Sequence, residues 1–321
     1  MPGRLGAIDI GSNTIHLLVA RTRPGEIPVP VFRRRSFVQL GADVASFGAI
    51  GPERLAAAVA TLGEQVAAAR AAGVTALAIG ATQALRAASN GAEVAGALSR
   101  AAEGRPIRVL TPHQEAALAF TGATLGLAPR DSVLLLDIGG ASTQLASGRT
   151  GRMETVDSLP LGSGTVAARA QADPPTPEEW VAMERRVSER LPQLRPVGQG
   201  LTVLGTGGTI TNLPRFEGPP VPAVLRPETL ERILEHFRRE TLVQLQARSG
   251  VDLERIRLCR GGILILAQLL DLLHLDRVRR SERGLRDGMI AGLRERGADW
   301  WDVGPRTVAA RRPGEPATAH P

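Results

Sequence analysis

The sequence has no lysine, no tyrosine, one cysteine and only 3% aromatic residues. A lone cysteine, Cys259, excludes an intramolecular disulfide and any metal site built on several cysteines. It stands in Arg257-Leu258-Cys259-Arg260-Gly261-Gly262, just ahead of an apolar helix, where a buried small hydrophobe is expected. With so few aromatics, and none interleaved with basic residues, there is no stacking platform for single strands. No helix-turn-helix or zinc-finger spacing stands out, so no nucleic-acid partner is expected. The longest apolar run, Ile263 to Leu270, falls far short of the ~20 residues that span a membrane. The N-terminus runs straight into a strand pattern, without the charged, apolar and small-residue regions of a signal peptide. These absences predict a soluble, cytoplasmic protein without a membrane partner.

What is present is a chain of 321 residues with 43% hydrophobic content, enough for about two domains with sizeable cores. Every one of its 39 basic residues is arginine, and the net charge is +7. Ala, Gly, Arg and Pro are all abundant, a pattern that GC-rich codon usage explains, so the arginine excess alone is weak evidence for a polyanion partner. The charge still raises the local concentration of anionic ligands and speeds their capture.

Apolar periodicity and turn residues predict an α/β chain. Strands are expected at Leu5 to Ile10, Ile15 to Ala20, Val29 to Phe32, Val74 to Ile79 and Ile107 to Leu110. Helices are expected at Pro52 to Ala72, Ser89 to Ala102, and from Pro112, capped by Thr111, to about Leu125. After Gly126 the pattern restarts. Strands are expected at Ser132 to Ile138, Thr143 to Ala146, Met153 to Leu159, Leu201 to Leu204 and Arg277 to Arg280. Helices are expected at Pro177 to Leu191, Pro227 to Ala247, Ile263 to Leu273 and Gly284 to Arg294. The stretch from Pro305 to Pro321, rich in Pro, Ala and Arg, reads as a disordered tail.

The restart carries an internal repeat. Asp9-Ile10-Gly11-Ser12-Asn13-Thr14 and Asp137-Ile138-Gly139-Gly140-Ala141-Ser142 share strand, Asp, Ile, Gly, turn and hydroxyl. They lie about one domain length apart, as two copies of one α/β unit across a shared cleft would. A tight turn leaves backbone N–H groups unpaired, and successive N–H groups form an anion-binding nest. Ser12, Asn13, Thr14, Ser142 and Thr143 can add side-chain donors. Asp9 and Asp137, at the strand ends, are hard oxygen ligands suited to holding Mg²⁺ through water. Gly205-Thr206-Gly207-Gly208-Thr209, between a strand and a helix, is a third anion candidate. No Gly-Lys-Ser/Thr follows it, so it is not a Walker A loop. Glu115, in the first turn of its predicted helix, could equally complement the helix dipole or act as a base.

In this order and spacing the residues resemble the exopolyphosphatase/guanosine pentaphosphate phosphohydrolase (Ppx/GppA) family of the actin-like superfamily. The resemblance runs from about residue 4 to 295. It rests on Ala7 to His16, Ala81 to Arg86, Ile107 to Ala116, Asp137 to Gln144, Ser158 to Gly162, Gly205 to Ile210 and Ser281 to Gly288. It implies two actin-like (ribonuclease H-like, ASKHA) lobes around a central cleft. The lobes are expected at residues 1–126 and 127–302, with a tail at 303–321. It implies hydrolysis of the terminal phosphoanhydride of inorganic polyphosphate or of guanosine pentaphosphate (pppGpp), with Glu115 as catalytic base. Phosphate would be held by Gly11, Ser12, Asn13, Thr14, Arg86, Gly139, Gly140, Ala141, Ser142, Thr143, Gly207, Gly208 and Thr209. Mg²⁺ would sit near Asp137 and Asp9. A homodimer is left open, and His16 reads as a packed strand residue.

Three positions depart from the family pattern. Gln144 replaces the usual Glu, Ala117 the usual Arg and Ala141 the usual third Gly; Ala141 would be strained if that site needs positive φ. The departures point to altered metal use or a lower rate. They also keep two alternatives in view: a catalytically impaired polyphosphate or alarmone sensor, and an actin-like small-molecule kinase. The chain lacks the C-terminal extension of longer relatives, which makes short chains or nucleotides the more natural substrates.

Overall fold

Each half of the chain begins with an apolar strand that ends in Asp-Ile-Gly and turns straight back. The computed structural model describes residues 3–304 apart from 192, 193, 195, 196, 198 and 199. In the first half β1 (Gly3–Ile10), β2 (Thr14–Thr22) and β3 (Val29–Phe37) form an antiparallel meander. Helices α1 (Leu40–Phe47) and α2 (Pro52–Ala71) follow, and β4 (Ala76–Ala81) then joins β1 in parallel. Next come α3 (Gln83–Ala87), α4 (Gly91–Ala101), the short β5 (Arg108–Val109) and α5 (Pro112–Thr124).

The second half repeats the plan. Its meander is β6 (Ser132–Ile138), β7 (Thr143–Arg149) and β8 (Arg152–Leu159). Helices α6 (Ser163–Ala167) and α7 (Pro177–Ser188) lead to β9 (Thr202–Thr206), parallel to β6. The chain continues through α8 (Gly207–Asn212), β10 (Val224–Leu225), α9 (Pro227–Arg239), α10 (Leu242–Ser249), α11 (Leu253–Leu272), β11 (Val278–Arg280) and α12 (Leu285–Arg296). The sheets run β3-β2-β1-β4-β5 and β8-β7-β6-β9-β11-β10. Strand for strand they share order and direction, with β10 an added edge. The repeat of the two turns is therefore a repeat of structure, and the fold is α/β with two actin-like lobes.

Alternation along β2 covers both faces of the first sheet. Ile15, Leu17 and Val19 pack in one core with Leu62 and Val66 of α2 and Leu98 of α4. Leu18 and Ala20 pack on the other face against Leu118 of α5 and Met289 and Ile290 of α12. The last helix thus crosses back onto the first sheet and lies against α5. A Cβ at Gly288 would come within 1.8 Å of the Leu118 carbonyl, and one at Gly122 within 2.0 Å of the Gly284 carbonyl. Only glycine permits that approach.

Two predicted helices differ most from those observed, and the strand expected at Val29 to Phe32 continues to Phe37. The single helix expected over Pro227 to Ala247 is broken at Glu240, whose backbone is extended. Thr241 then caps α10 through its hydroxyl, accepting from the Gln244 N–H, while the Asp173 carboxylate accepts from the Leu242 N–H. These local acceptors outcompete helix continuation. Cys259 does not precede its helix but lies inside α11, which starts at Leu253 with Asp252 as cap. The polar first turns hid it, because Arg255 and Arg260 are buried despite their charge. Cys259 is fully buried, and burial pushes its thiol up to about 12. The predicted tail over 305–321 lies outside the described residues.

Candidate active site

Both Asp-Ile-Gly hairpins close in the same way. The Gly11 N–H donates to the Thr14 carbonyl at 2.9 Å, and the Gly139 N–H donates to the Ser142 carbonyl at 2.9 Å. Neighbouring segments take up the outward carbonyls. Ser12 O accepts from Gly41 N–H and Asn13 O from Val38 and Gln39; Gly139 O accepts from Ser163 and Gly140 O from Gly164. The N–H groups of Ser12, Asn13, Gly140 and Ala141 make no hydrogen bond among the described residues. The two turns also meet, since a Cβ on Gly140 would fall 2.0 Å from Asn13 Nδ2. Ala141 is not among the described residues with positive φ, so its methyl is unstrained.

The turns form the walls of a 220 Å³ cleft between the lobes. It is lined by Asp9, Gly11, Ser12, Asn13, Thr14, Glu115, Asp137, Gly139, Gly140, Ala141, Ser142, Gly207 and Gly208. Three predicted residues stand behind this wall. The Thr143 hydroxyl donates to the Leu161 carbonyl at 2.6 Å. Thr209 is buried against Gly262 of α11. Arg86 donates through Nη1 to Glu115 Oε2 at 2.9 Å and to the Leu110 carbonyl, and through Nη2 to Gln83 at 2.8 Å. It grips the carboxylate, with three of its five N–H donors engaged in these bonds.

Glu115 is placed by its cap. Thr111 and Gln114 form a reciprocal capping box, with Pro112 in the first turn. The third helical position, where a carboxylate would serve the cap, is therefore Gln114, and Glu115 turns inward to 8% exposure. Burial raises its pKa to about 7, against the opposing pull of Arg86 and with added repulsion from Asp9 and Asp137. Asp9 rises to about 6 through burial, partly offset by Arg286. Asp137 rises to about 7 through burial and then through Asp9. Three carboxylates from two lobes thus share one poorly solvated space. Oδ1 of Asp9 is buried with no hydrogen-bond partner.

The cleft also holds cations that sequence reasoning did not single out. Arg286, in the first turn of α12, has its Nη1 3.9 Å from Asp9 Oδ2. Arg35 of β3 and Arg255 of α11 reach in from opposite lobes and both lie over the ring of Phe37, at 5.2 and 5.5 Å from its centroid. The ring face offsets some of their mutual repulsion. Gly208 makes room for Arg255, whose Nη1 would lie 2.1 Å from a Cβ there. Arg286 sat in plain view within the Ser281 to Gly288 segment; Arg35 and Arg255 carried no signal beyond the overall positive charge. His16 also lines the cleft, with Nε2 2.7 Å from Thr14 Oγ1. Burial, followed by Arg286, Arg255 and Arg35, drives its pKa well below the usual value, so the imidazole is neutral.

Fold and cleft together define an actin-like protein whose interlobe cleft is lined by backbone N–H groups, arginines and three carboxylates. The family follows from comparison: the model of the Ppx/GppA phosphatase family matches residues 18–296, and the chain belongs to that family. Exopolyphosphatase 1 of Mycobacterium tuberculosis is 28% identical over 302 residues, covering 89% of this chain and 87% of the relative. An uncharacterised Streptomyces coelicolor protein is 31% identical over 317 residues, covering 93% and 92%. Among solved structures, the Aquifex aeolicus PPX-GPPA enzyme superposes with a TM-score of 0.72 at 27% identity, covering 90% of this chain and 98% of that one. An exopolyphosphatase-like protein gives a TM-score of 0.80 at 25% identity, covering 90% and 97%.

Proposed function

We propose that the protein hydrolyses the terminal phosphoanhydride bond of inorganic polyphosphate or guanosine pentaphosphate, with Glu115 as the base. The observation that carries this reading is the placement of Glu115. It is a buried carboxylate raised to about 7, facing two aspartates between two loops with unpaired N–H groups. A base poised near neutral pH is what general-base attack by water requires. Arg86 holds Oε2, which fixes the carboxylate plane and leaves Oε1 for the water. Glu115 takes the proton as oxygen bonds to phosphorus, and the shortened chain leaves with the electrons of the broken P–O bond. The N–H groups of both turns, with Arg255 and Arg286, balance charge on the phosphoryl oxygens. Positioning and electrostatics of this kind supply most phosphoryl-transfer catalysis.

The donor set fits a hard divalent cation such as Mg²⁺, held by Asp9 and Asp137. The orphaned Oδ1 of Asp9 and the mutual repulsion of the two carboxylates are the features a cation would relieve. Among the described residues no third His, Cys, Asp or Glu is placed to join them on one ion, so water and phosphate oxygens would fill the remaining positions, as Mg²⁺ prefers. Such an ion supplies charge neutralisation of the bound phosphates.

One observation favours a second reading, a sensor that binds without turnover. Gln144 lines the cleft and donates to Ser142 Oγ at 2.9 Å, so a neutral amide occupies this wall position. Phosphate release from polyphosphates of several lengths, guanosine pentaphosphate and ATP, with and without Mg²⁺, separates the two. Release by wild type and not by Glu115→Ala supports the hydrolase; equal, background release by both leaves the sensor.

A further inference from the structure

Beside the cleft lies a second basic depression, a groove of 590 Å³ between the β2–β3 hairpin and the segment leading into α12. Arg33, Arg279, Arg280 and Arg283 line it, and Glu282 is its one carboxylate. Glu282 and Arg283 also line the cleft, so the two spaces adjoin. We propose that this groove is a second phosphate-chain subsite, holding phosphates several units from the scissile bond; the proposal rests on the hydrolase reading of the cleft.

The register of β3 sets up the arrangement. Arg33 pairs with Leu18 and Arg35 with His16, so both point to the face covered by α12. Arg34 between them pairs with Leu17 and points to the opposite face, where it meets Glu64 of α2. Arg35 therefore reaches the cleft and Arg33 the groove, about 7 Å further along the strand. Opposite them, Arg286 and Arg283 make the same step at the head of α12. Arg33 stands close enough to act on the charges of both Arg286 and Asp287. The guanidinium groups thus continue outward from the aspartates on both walls.

Charge at the groove is only partly neutralised. Arg33 and Arg279 are exposed and make no ion pair among the described residues. Arg283 is braced by donating to the Leu125 carbonyl at 3.0 Å, and Arg280 pairs with Glu282 at 3.4 Å. Gly126 keeps the wall open, since a Cβ there would lie 3.0 Å from Ile27 Cδ1 and 3.6 Å from Arg283 Nη1. Unpaired guanidinium forks along an open trench suit an anion that repeats, which is the chemistry of a phosphate chain.

The test is the double variant Arg33→Gln/Arg279→Gln, which replaces no residue of the cleft wall. Steady-state kinetics are compared on tripolyphosphate, guanosine pentaphosphate and long-chain polyphosphate, with melting curves to confirm folding. The expected result is a KM for the long chain raised about tenfold, the scale of losing charge-assisted hydrogen bonds, with kcat and both tripolyphosphate constants unchanged. A parallel rise for guanosine pentaphosphate assigns the groove to phosphates of a nucleotide as well; no rise there restricts it to the inorganic chain. An unchanged long-chain KM, or an equal rise for tripolyphosphate, overturns the proposal. If wild type releases no phosphate from any substrate, the hydrolase reading fails by itself. Direct binding of fluorescent long-chain polyphosphate then tests the groove: a salt dependence shallower by about two for the variant supports it, and equal slopes overturn it.

Discussion

Replacing Asp137 by Asn should abolish phosphate release and, in the metal-free protein at pH 8, raise thermal stability. Burial and the neighbouring Asp9 lift Asp137 from 3.8 to about 7. A carboxyl whose folded pKa exceeds its unfolded value contributes stability that is present below the unfolded value, near 4, and is lost as pH rises through the folded value, near 7. At pH 8 the full shift operates against folding. One unit is worth about 1.4 kcal/mol, so a shift of about three units sets an upper bound of roughly 4 kcal/mol. Part of that shift belongs jointly to Asp9, which itself remains 18% exposed, and the expected gain is about 2 kcal/mol, or several degrees in Tm. Asparagine keeps the shape and removes the charge. Scanning calorimetry in EDTA across pH 5 to 8 should show the advantage of Asp137→Asn growing with pH. Adding Mg²⁺ at pH 8 should then stabilise wild type more than the variant. A variant less stable than wild type at pH 8, or an offset independent of pH, would refute the argument that these carboxylates are frustrated neighbours.

Other outcomes follow from the same geometry. Glu115→Gln should lower kcat for phosphate release by roughly 10²- to 10⁴-fold, the range for losing a general base, while polyphosphate binding by calorimetry persists. The rate should climb with pH through about 7, because Glu115 must be ionised to accept a proton. Arg86 lowers that pKa, so Arg86→Gln should move the acid limb of the pH–rate profile to higher pH. Gln144→Glu should lower the Mg²⁺ concentration needed for half-maximal activity in a metal titration, by adding a carboxylate to the cleft.

Much of the fold was legible because each half states its own plan. The strand, turn and strand around Asp9 and around Asp137 share a spelling, and that spelling became the same hairpin with the same 2.9 Å closure. Boundaries were misread where a side chain from elsewhere in the chain intervened. Asp173 and Arg260 break the helix at Glu240, and no local pattern announces a partner many residues away. At the site, motifs pointed to backbone donors and carboxylates, which sit in turns with recognisable spelling. They did not point to Arg35, Arg255 and Phe37, which converge from two lobes and look like ordinary strand and helix residues. Arg86 illustrates the opposite case. Its position was anticipated, but its guanidinium faces Glu115, a relation that only the folded distance between α3 and α5 reveals.

The crossing of α5 over α12 has a consequence for how this cleft can change over evolutionary time. Glu115 heads one helix and Arg286 the other, and the two helices touch through backbone alone at Gly122 and Gly288. The separation of carboxylate and cation is therefore set by main-chain geometry, which drift in surrounding side chains leaves intact. The same contact has no give: one added carbon at either glycine acts as a wedge, spreading the heads of both helices at once.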